Sequence, residues 1–138
     1  MNWIGFAILS AVSAAGVAVL GKIGIQGLDT TLATTVRALV MAFFLIIVSL
    51  ALGKFGLLGT LTARPLTFII LSGVAGALSW LFYFAALKFG LASRVATVDR
   101  LSVVFVVLLA AAFLGETLTV KSIIGVTLLT IGAIVLVW

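Results

Sequence analysis

Apolar residues arrive along this chain in five long runs, and charged residues lie almost entirely between them. A helix needs roughly 20 mostly apolar residues to cross ~30 Å of hydrocarbon. The pattern therefore predicts an all-α integral membrane protein with five transmembrane helices. Their predicted bounds are about 3–21, 30–52, 65–87, 94–114 and 120–138. The connections are short, which predicts one transmembrane domain over residues 1–138.

Several polar residues stand where helices are expected to begin. Asp29, Ser93 and Thr119 precede the second, fourth and fifth helices and are predicted as N-caps. Glu116 lies just before the fifth helix, where we expect it to interact with the exposed N–H groups and the positive end of the helix dipole. The longest connection, 53–64, is basic and rich in glycine.

Composition excludes several classes of protein. Apolar residues make up 65% of the chain and charged residues 8%, whereas soluble domains carry about 25% charged residues. The net charge of +5 comes without a Lys/Arg run, so we expect no nucleic-acid partner. The chain has no His and no Cys, so we expect no metal and no cofactor. No basic residue precedes the first apolar run, which favours a retained helix over a cleaved secretory signal.

Three ionisable residues fall inside predicted helices: Arg37, Asp99 and Arg100. Each lies ~8–11 Å from the start of its helix, on the same side of the membrane. An ionised side chain at mid-bilayer costs roughly 2.5–3.5 kcal/mol, so such residues usually face a cavity or a partner. Ser102 shares a face with Asp99 in a continuous helix. These four residues belong to the predicted substrate or coupling-ion site, together with Trp80 and Tyr83 of the third helix.

Two interpretations of this site remain open. Arg37 and Asp99 could form a buried salt bridge that fixes two helices together. Alternatively, Asp99 is a proton or cation site and Arg37 or Arg100 anchors a substrate carboxylate. With two arginines and one aspartate, one positive charge is not balanced by a carboxylate, which favours a substrate with a negative group. No nucleophile–base pair or carboxylate pair is present, so we do not expect an enzyme.

The third predicted helix carries aromatic residues on one face. Trp80, Tyr83, Phe84 and Leu87 follow the spacing i, i+3, i+4 and i+7. Such a wall could bind an apolar or cationic ligand through stacking and cation–π contact. Ordinary packing between helices explains the same spacing, so both readings stay open for Trp80 and Tyr83.

The orientation in the membrane is not decided by the basic residues. An odd number of helices places the two termini on opposite faces, and cytoplasmic loops are usually the richer in Lys and Arg. Here three cations fall on each side: Lys54, Arg64 and Lys121 against Lys22, Lys88 and Arg94. Insertion in both orientations and a single topology fixed by another factor are both consistent with this count.

The order of the small and apolar segments resembles a known family. The segments "AVSAAGVAVLGKIGI", "TTVRALVMA", "AALKFGLAS", "FVVLLAAAFLGETLT" and "IIGVTLLTIGAIVL" are together similar to one repeat of the EamA domain, from the drug/metabolite transporter superfamily. Most relatives carry two such repeats. The resemblance therefore implies an antiparallel homodimer in the cytoplasmic (inner) membrane of a bacterium or archaeon. It also implies a secondary transporter that exports a small metabolite by alternating access.

Two other functions compete with this expectation. A small-multidrug-type antiporter exchanges protons for lipophilic cations, but such proteins use an acidic residue in the first helix, and the first helix here has none. The other alternative is an accessory membrane subunit that stabilises a partner protein and transports nothing. Purification with a second protein would distinguish it from a transporter.

Overall fold

The computed structural model describes residues 2–138; Met1, which the predicted domain 1–138 includes, lies outside them. The described residues form six α-helices and one 3₁₀ helix, and no strand. The α-helices are α1 (Trp3–Gly24), α2 (Thr30–Ala51), α3 (Ala63–Phe89), α4 (Ala92–Asp99), α5 (Ser102–Leu114) and α6 (Val120–Val137). Because α4 and α5 together make one span, Ala92–Leu114, residues 2–138 contain five helical spans long and apolar enough to cross a membrane. The prediction of five spans is confirmed.

Two of the three predicted caps are present. The Asp29 carboxylate accepts a hydrogen bond from the Leu32 N–H at 2.9 Å, and the Thr119 hydroxyl accepts one from the Ser122 N–H at 3.1 Å. The prediction for Ser93 is wrong, because α4 begins at Ala92. The carbonyl of Leu91 already accepts the first helical hydrogen bond, from Val95 at 3.0 Å. The helix therefore starts before Ser93 can cap it.

The predicted continuous fourth helix is also wrong. It is interrupted at Arg100 and Leu101, a segment called here the break. Around it, backbone N–H groups donate to the carbonyl three residues earlier: Leu101 to Val98 at 2.9 Å, and Val104 to Leu101 at 2.9 Å. This is the tighter 3₁₀ pattern. The break comes directly after Asp99 and directly before Ser102.

The basic connection after α2 is partly helical. Gly53 adopts the left-handed conformation, with φ +64°, and ends the preceding turn. A 3₁₀ helix, Lys54–Thr60, follows and packs against α2. The other helix bounds differ slightly from those predicted: α1 runs three residues further, and α3 is extended by two residues at each end.

The chain divides into two compact units. The continuous unit, Gly21–Lys88, contains the end of α1, α2, the 3₁₀ helix and α3 up to Lys88. Its buried residues are Ile25, Thr34, Phe84 and Leu87. The discontinuous unit combines residues 2–20 with 89–138. The prediction of one domain over residues 1–138 stays a prediction.

The discontinuous unit is organised around its last helix. In it, α6 packs against both α4 and α5. Its buried residues are the small side chains Ala18, Ala110 and Ala133, and small residues let helix backbones approach closely in a bilayer.

Large apolar side chains cover the surface of all five spans. Phe82 is 71% exposed, Phe43 67% and Phe105 64%. Contiguous apolar surface of this extent does not occur on soluble monomers. With spans of 18 to 27 residues, this surface identifies a multi-pass integral membrane protein.

Candidate functional site

The aromatic residues of α3 form one cluster. The ring centroids of Trp80 and Tyr83 lie 5.4 Å apart, those of Trp80 and Phe84 6.0 Å, and those of Tyr83 and Phe84 6.4 Å. The first two pairs meet edge to face, an arrangement that the charge distribution of aromatic rings favours. The i, i+3, i+4 spacing thus produces the predicted wall, called here the aromatic cluster (Trp80, Tyr83 and Phe84).

Arg37 of α2 lies over this cluster. Its guanidinium carbon is 3.6 Å from the centroid of the Trp80 ring and 5.8 Å from that of Phe84. A cation over the face of a tryptophan is attracted by the ring quadrupole, with about 2 kcal/mol or more when the pair is shielded from water. The structure therefore brings together Arg37, Trp80 and Tyr83, which the sequence had assigned to separate features.

No carboxylate of the continuous unit is near enough to neutralise Arg37. The acidic residue of this unit is Asp29, and its side chain is engaged at the start of α2 with Leu32. Arg37 lies eight residues further along the helix, about 12 Å at 1.5 Å per residue. The half-buried guanidinium therefore contacts an aromatic face and no carboxylate of its own unit.

The C-terminal end of α1 packs against the aromatic cluster. A Cβ atom on Gly21 would lie 3.4 Å from Cζ of Phe84 and 3.5 Å from Cδ1 of Leu87, so the helix backbone comes close to both side chains. Nearby, Lys22 Nζ donates a hydrogen bond to the carbonyl oxygen of Leu87. That carbonyl belongs to the last turn of α3, where cations are favoured by the helix dipole.

Through this contact Lys22 of α1 is joined to the end of α3. Neither Lys22 nor Gly21 stood out in the sequence as part of a site. A lysine in the last turn of a helix is a weak signal, because most such residues are solvated. Together the two residues fix Phe84, which is 3% exposed, and Leu87, which is fully buried.

The other predicted site residues meet at the break. Asp99 is the last residue of α4, Arg100 lies in the break and Ser102 is the first residue of α5; all three are exposed in the single chain. The Arg100 N–H is shared between the carbonyls of Ala96 at 3.3 Å and Thr97 at 3.2 Å. Non-helical backbone at membrane depth is tolerated where it is covered by protein or lines a cavity.

The structure thus forms two groups from the predicted site. Arg37, Trp80 and Tyr83 belong to the continuous unit, and Asp99, Arg100 and Ser102 to the discontinuous unit. A salt bridge between Arg37 and Asp99 stays a prediction. Glu116 is exposed; its backbone N–H donates to the carbonyl of Ala110 at 3.3 Å, where the left-handed Gly115 ends α5. Its predicted interaction with the start of α6 stays a prediction.

An apolar groove of about 330 Å³ lies between α5 and α6 in the discontinuous unit. Two threonines contribute to it, but Thr127 and Thr130 donate their hydroxyl protons to carbonyls of their own helix, at 2.8 Å each. The groove therefore presents mainly hydrocarbon. Its lining residues are Val104, Val107, Leu108, Leu118, Ile123, Val126, Thr127, Thr130 and Ile131.

Comparison with known proteins agrees with this architecture. Residues 1–138 match the EamA-like transporter family. The chain is also 38% identical over 135 residues to a Sinorhizobium sp. protein named "Uncharacterized transporter in cobO 3'region", covering 98% of this chain and 96% of that relative. No solved structure matches the chain. Five apolar spans and a match over the whole length lead to one conclusion: the chain belongs to the EamA-like transporter family, as a multi-pass membrane transporter.

Proposed function

We propose that this transporter exports a small metabolite that bears a carboxylate, and that Arg37 binds the carboxylate. The observation that carries the proposal is the position of the Arg37 guanidinium, 3.6 Å from the centroid of the Trp80 ring. Stacking engages the face of a planar guanidinium, and its N–H donors lie in the plane at the edge. A guanidinium oriented in this way can donate two parallel hydrogen bonds to one carboxylate.

The charge of the continuous unit supports an anionic substrate. This unit carries five cationic side chains, Lys22, Arg37, Lys54, Arg64 and Lys88, and one carboxylate, Asp29. Of the five, Arg37 alone lies far from both ends of its helix, and a charge in a region of low dielectric attracts ligands of the opposite sign. The surplus of cations thus favours a carboxylate over a cation near Arg37.

Asp99 is proposed to bind the coupling ion, a proton or another cation. It ends α4 immediately before the break, and Ser102 begins α5 immediately after it. In transporters, interrupted helices present free backbone groups and helix ends to ions and substrates near the membrane midplane. Arg100 lies in the same segment and is proposed as a second contact for the anionic substrate.

The working unit is proposed to be an antiparallel homodimer that alternates between two open states. The chain holds one five-helix repeat, and transporter folds are commonly built from inverted repeats. The equal numbers of basic residues at the two sides support insertion in both orientations. A second copy would also cover Asp99 and Arg100, which are exposed in the single chain. The proposed location is a bacterial or archaeal cytoplasmic membrane.

The exchange of protons for lipophilic cations is a weaker candidate. The aromatic cluster, which could attract such a cation, already holds Arg37. In addition, α1 contains no acidic residue. An accessory subunit that transports nothing would be recognised by a partner protein that co-purifies with it, whereas we expect this chain to purify alone.

The first test compares the medium around cells that produce the wild type, Arg37→Gln or Asp99→Asn at equal levels in the membrane. Arg64→Gln is the matched control, since Arg64 is an exposed arginine at the start of α3. We expect a carboxylate-bearing solute to accumulate with the wild type and the control, and with neither site variant. Enrichment of a solute without an acidic group, or equal enrichment by all four proteins, would contradict the proposal.

The dimer is tested separately through topology. The natural chain has no cysteine, so Gly59→Cys in the connecting 3₁₀ helix introduces a single thiol. In intact cells we expect a membrane-impermeant thiol reagent to label roughly half of the protein, because two orientations place this segment on opposite sides. Complete labelling, or none before permeabilisation, would show one topology and would contradict the antiparallel arrangement.

A further inference from the structure

The aromatic cluster has the composition and geometry of a site for an organic cation. Three rings lie with their centroids 5.4 to 6.4 Å apart. The negative faces of aromatic rings bind quaternary ammonium and guanidinium groups, and here the faces of Trp80 and Phe84 point toward one cation. In this protein the cation on the rings is part of the chain itself, the guanidinium of Arg37.

The rings do not depend on Arg37 for their positions. Trp80, Tyr83 and Phe84 are held together by helical spacing within α3. Phe84 is fixed in addition by the close approach of α1 at Gly21, where an added Cβ would lie 3.4 Å from Cζ of Phe84. Removing the Arg37 side chain therefore leaves the rings in place and uncovers the face of Trp80.

With the Arg37 guanidinium on its rings, the aromatic cluster repels other cations. A free cation that approached the Trp80 face would meet a guanidinium already 3.6 Å from the ring centroid, and like charges at contact distance repel strongly where water is scarce. An anion, by contrast, is attracted by the same group. One side chain thus decides which sign of charge the site accepts.

We propose that the aromatic cluster is an organic-cation site that Arg37 occupies from within, and that Arg37 thereby sets the charge preference of the transporter. The inference rests on the proposed function, because it explains why the proposed transporter accepts anions and excludes cations. The site itself is a property of α2 and α3. A neutral, short residue at position 37 converts the cluster into a receptor for small organic cations.

The experiment measures binding to purified protein, with the fluorescence of Trp80 as the signal. Trp3→Phe and Trp138→Phe leave Trp80 as the single tryptophan of the chain, which has three. The probe is methylguanidinium, which reproduces the end of the missing side chain. Methylurea, its neutral analogue of nearly the same shape, is the control ligand.

We expect Arg37→Ala to bind methylguanidinium at least about tenfold more tightly than the wild type and to show no saturable response to methylurea. Arg37→Lys should bind no better than the wild type, because its ammonium keeps a cation at the rings. Phe84→Leu, added to Arg37→Ala, should weaken binding several-fold. Phe82→Leu is the matched control, since Phe82 lies on the same helix but is 71% exposed.

Three results would overturn the inference: equal binding by wild type and Arg37→Ala, equal binding of methylurea, or no binding by a monodisperse Arg37→Ala protein. If Arg37→Ala does not purify as folded protein, Arg37→Gln replaces it with the same expectation, and a negative result with that variant counts equally. A different result would contradict the proposed function: no carboxylate-bearing solute accumulates in the medium around cells that produce the wild type. A loss of export with no cation binding would leave the export proposal standing and reject the cation site alone.

Discussion

Ionisable side chains at the two proposed sites differ in their contacts: those in the continuous unit touch other groups of the unit, and those in the discontinuous unit are exposed. In the continuous unit, Arg37 lies on the Trp80 ring and Lys22 donates to the Leu87 carbonyl, so two cations contact groups of their own unit. In the discontinuous unit, Asp99 and Arg100 are exposed beside an interrupted helix. Arg37 and Lys22 are therefore compensated within their own unit, whereas Asp99 and Arg100 are left exposed in theirs.

The difference has an energetic meaning in a bilayer. A charge near the membrane centre costs roughly 2.5–3.5 kcal/mol unless another group compensates it. For Arg37 the aromatic face supplies part of that compensation within the chain. For Asp99 it has to come from outside the single unit. The proposed carboxylate site in the continuous unit, called here the built site, is thus compensated within its unit. The proposed ion site in the discontinuous unit, called here the open site, is left for the proposed second copy and coupling ion.

The largest expected effect tests whether the built site binds the anion. Arg37→Gln should weaken binding of the exported carboxylate about 30-fold or more, because truncating one partner of a shielded charge pair costs at least about 2 kcal/mol. Arg37→Lys should recover only part of this loss, since an ammonium cannot stack or donate in a bidentate manner. Titration of Trp80 fluorescence with the carboxylate measures both. Equal affinities for wild type and Arg37→Gln would remove the distinction between the units.

The second effect concerns the contact that supports the built site. Lys22→Met should lower the free energy of unfolding by about 1.5 kcal/mol, the usual contribution of a hydrogen bond that involves a charged group. Thermal unfolding in detergent measures the change. Lys54→Met is the control, because Lys54 is exposed at the start of the 3₁₀ helix. An equal loss of stability in both variants would mean that the bond to Leu87 contributes nothing specific.

The third prediction concerns Asp99 in the open site and its effect on export. Asp99→Asn should reduce uphill export in proteoliposomes about tenfold, within the usual range of coupling energies between two ligands. The same variant should leave binding of the carboxylate at Trp80 within about twofold of the wild type, as for substitutions outside a binding site. If Asp99→Asn weakens that binding as much as Arg37→Gln does, the two groups of residues act as a single site, as the alternative salt bridge requires.

The smallest effects should be the same in both units. Asp29→Ala removes the cap of α2, and Thr119→Ala removes that of α6. Each should cost about 1 kcal/mol of stability, the typical value for an N-cap. Asp29→Asn should cost only a fraction of this. Chemical denaturation in detergent compares them, and a cost several times larger in one unit would mean that its capped helix end has a role beyond local stability.

Helix positions could be predicted from the sequence because they depend on local features. Runs of apolar residues located all five spans, and Asp29 and Thr119 marked two helix starts by side-chain chemistry alone. The break could not be found in this way. Residues 99–102 contain neither glycine nor proline, so no residue there announces a change from α to 3₁₀ hydrogen bonding.

The contact between Arg37 and Trp80 was missed for a different reason. Sequence spacing gives the depth of each residue in the membrane. It does not give the rotation of one helix about its axis relative to another, which decides the neighbour that each side chain meets. The search for a partner of opposite charge led to Asp99, whereas an aromatic ring also stabilises a cation.

The break also changes the geometry of the fourth span. A 3₁₀ segment rises about 2.0 Å per residue and turns 120° at each step, whereas an α-helix rises 1.5 Å and turns 100°. Each residue wound in the tighter form therefore lengthens the span by about 0.5 Å and advances its angular phase by about 20°. Beyond Arg100 and Leu101, the stripe of residues that begins in α4 no longer continues in line along α5. One span thus presents two differently phased faces, and both α4 and α5 pack against α6.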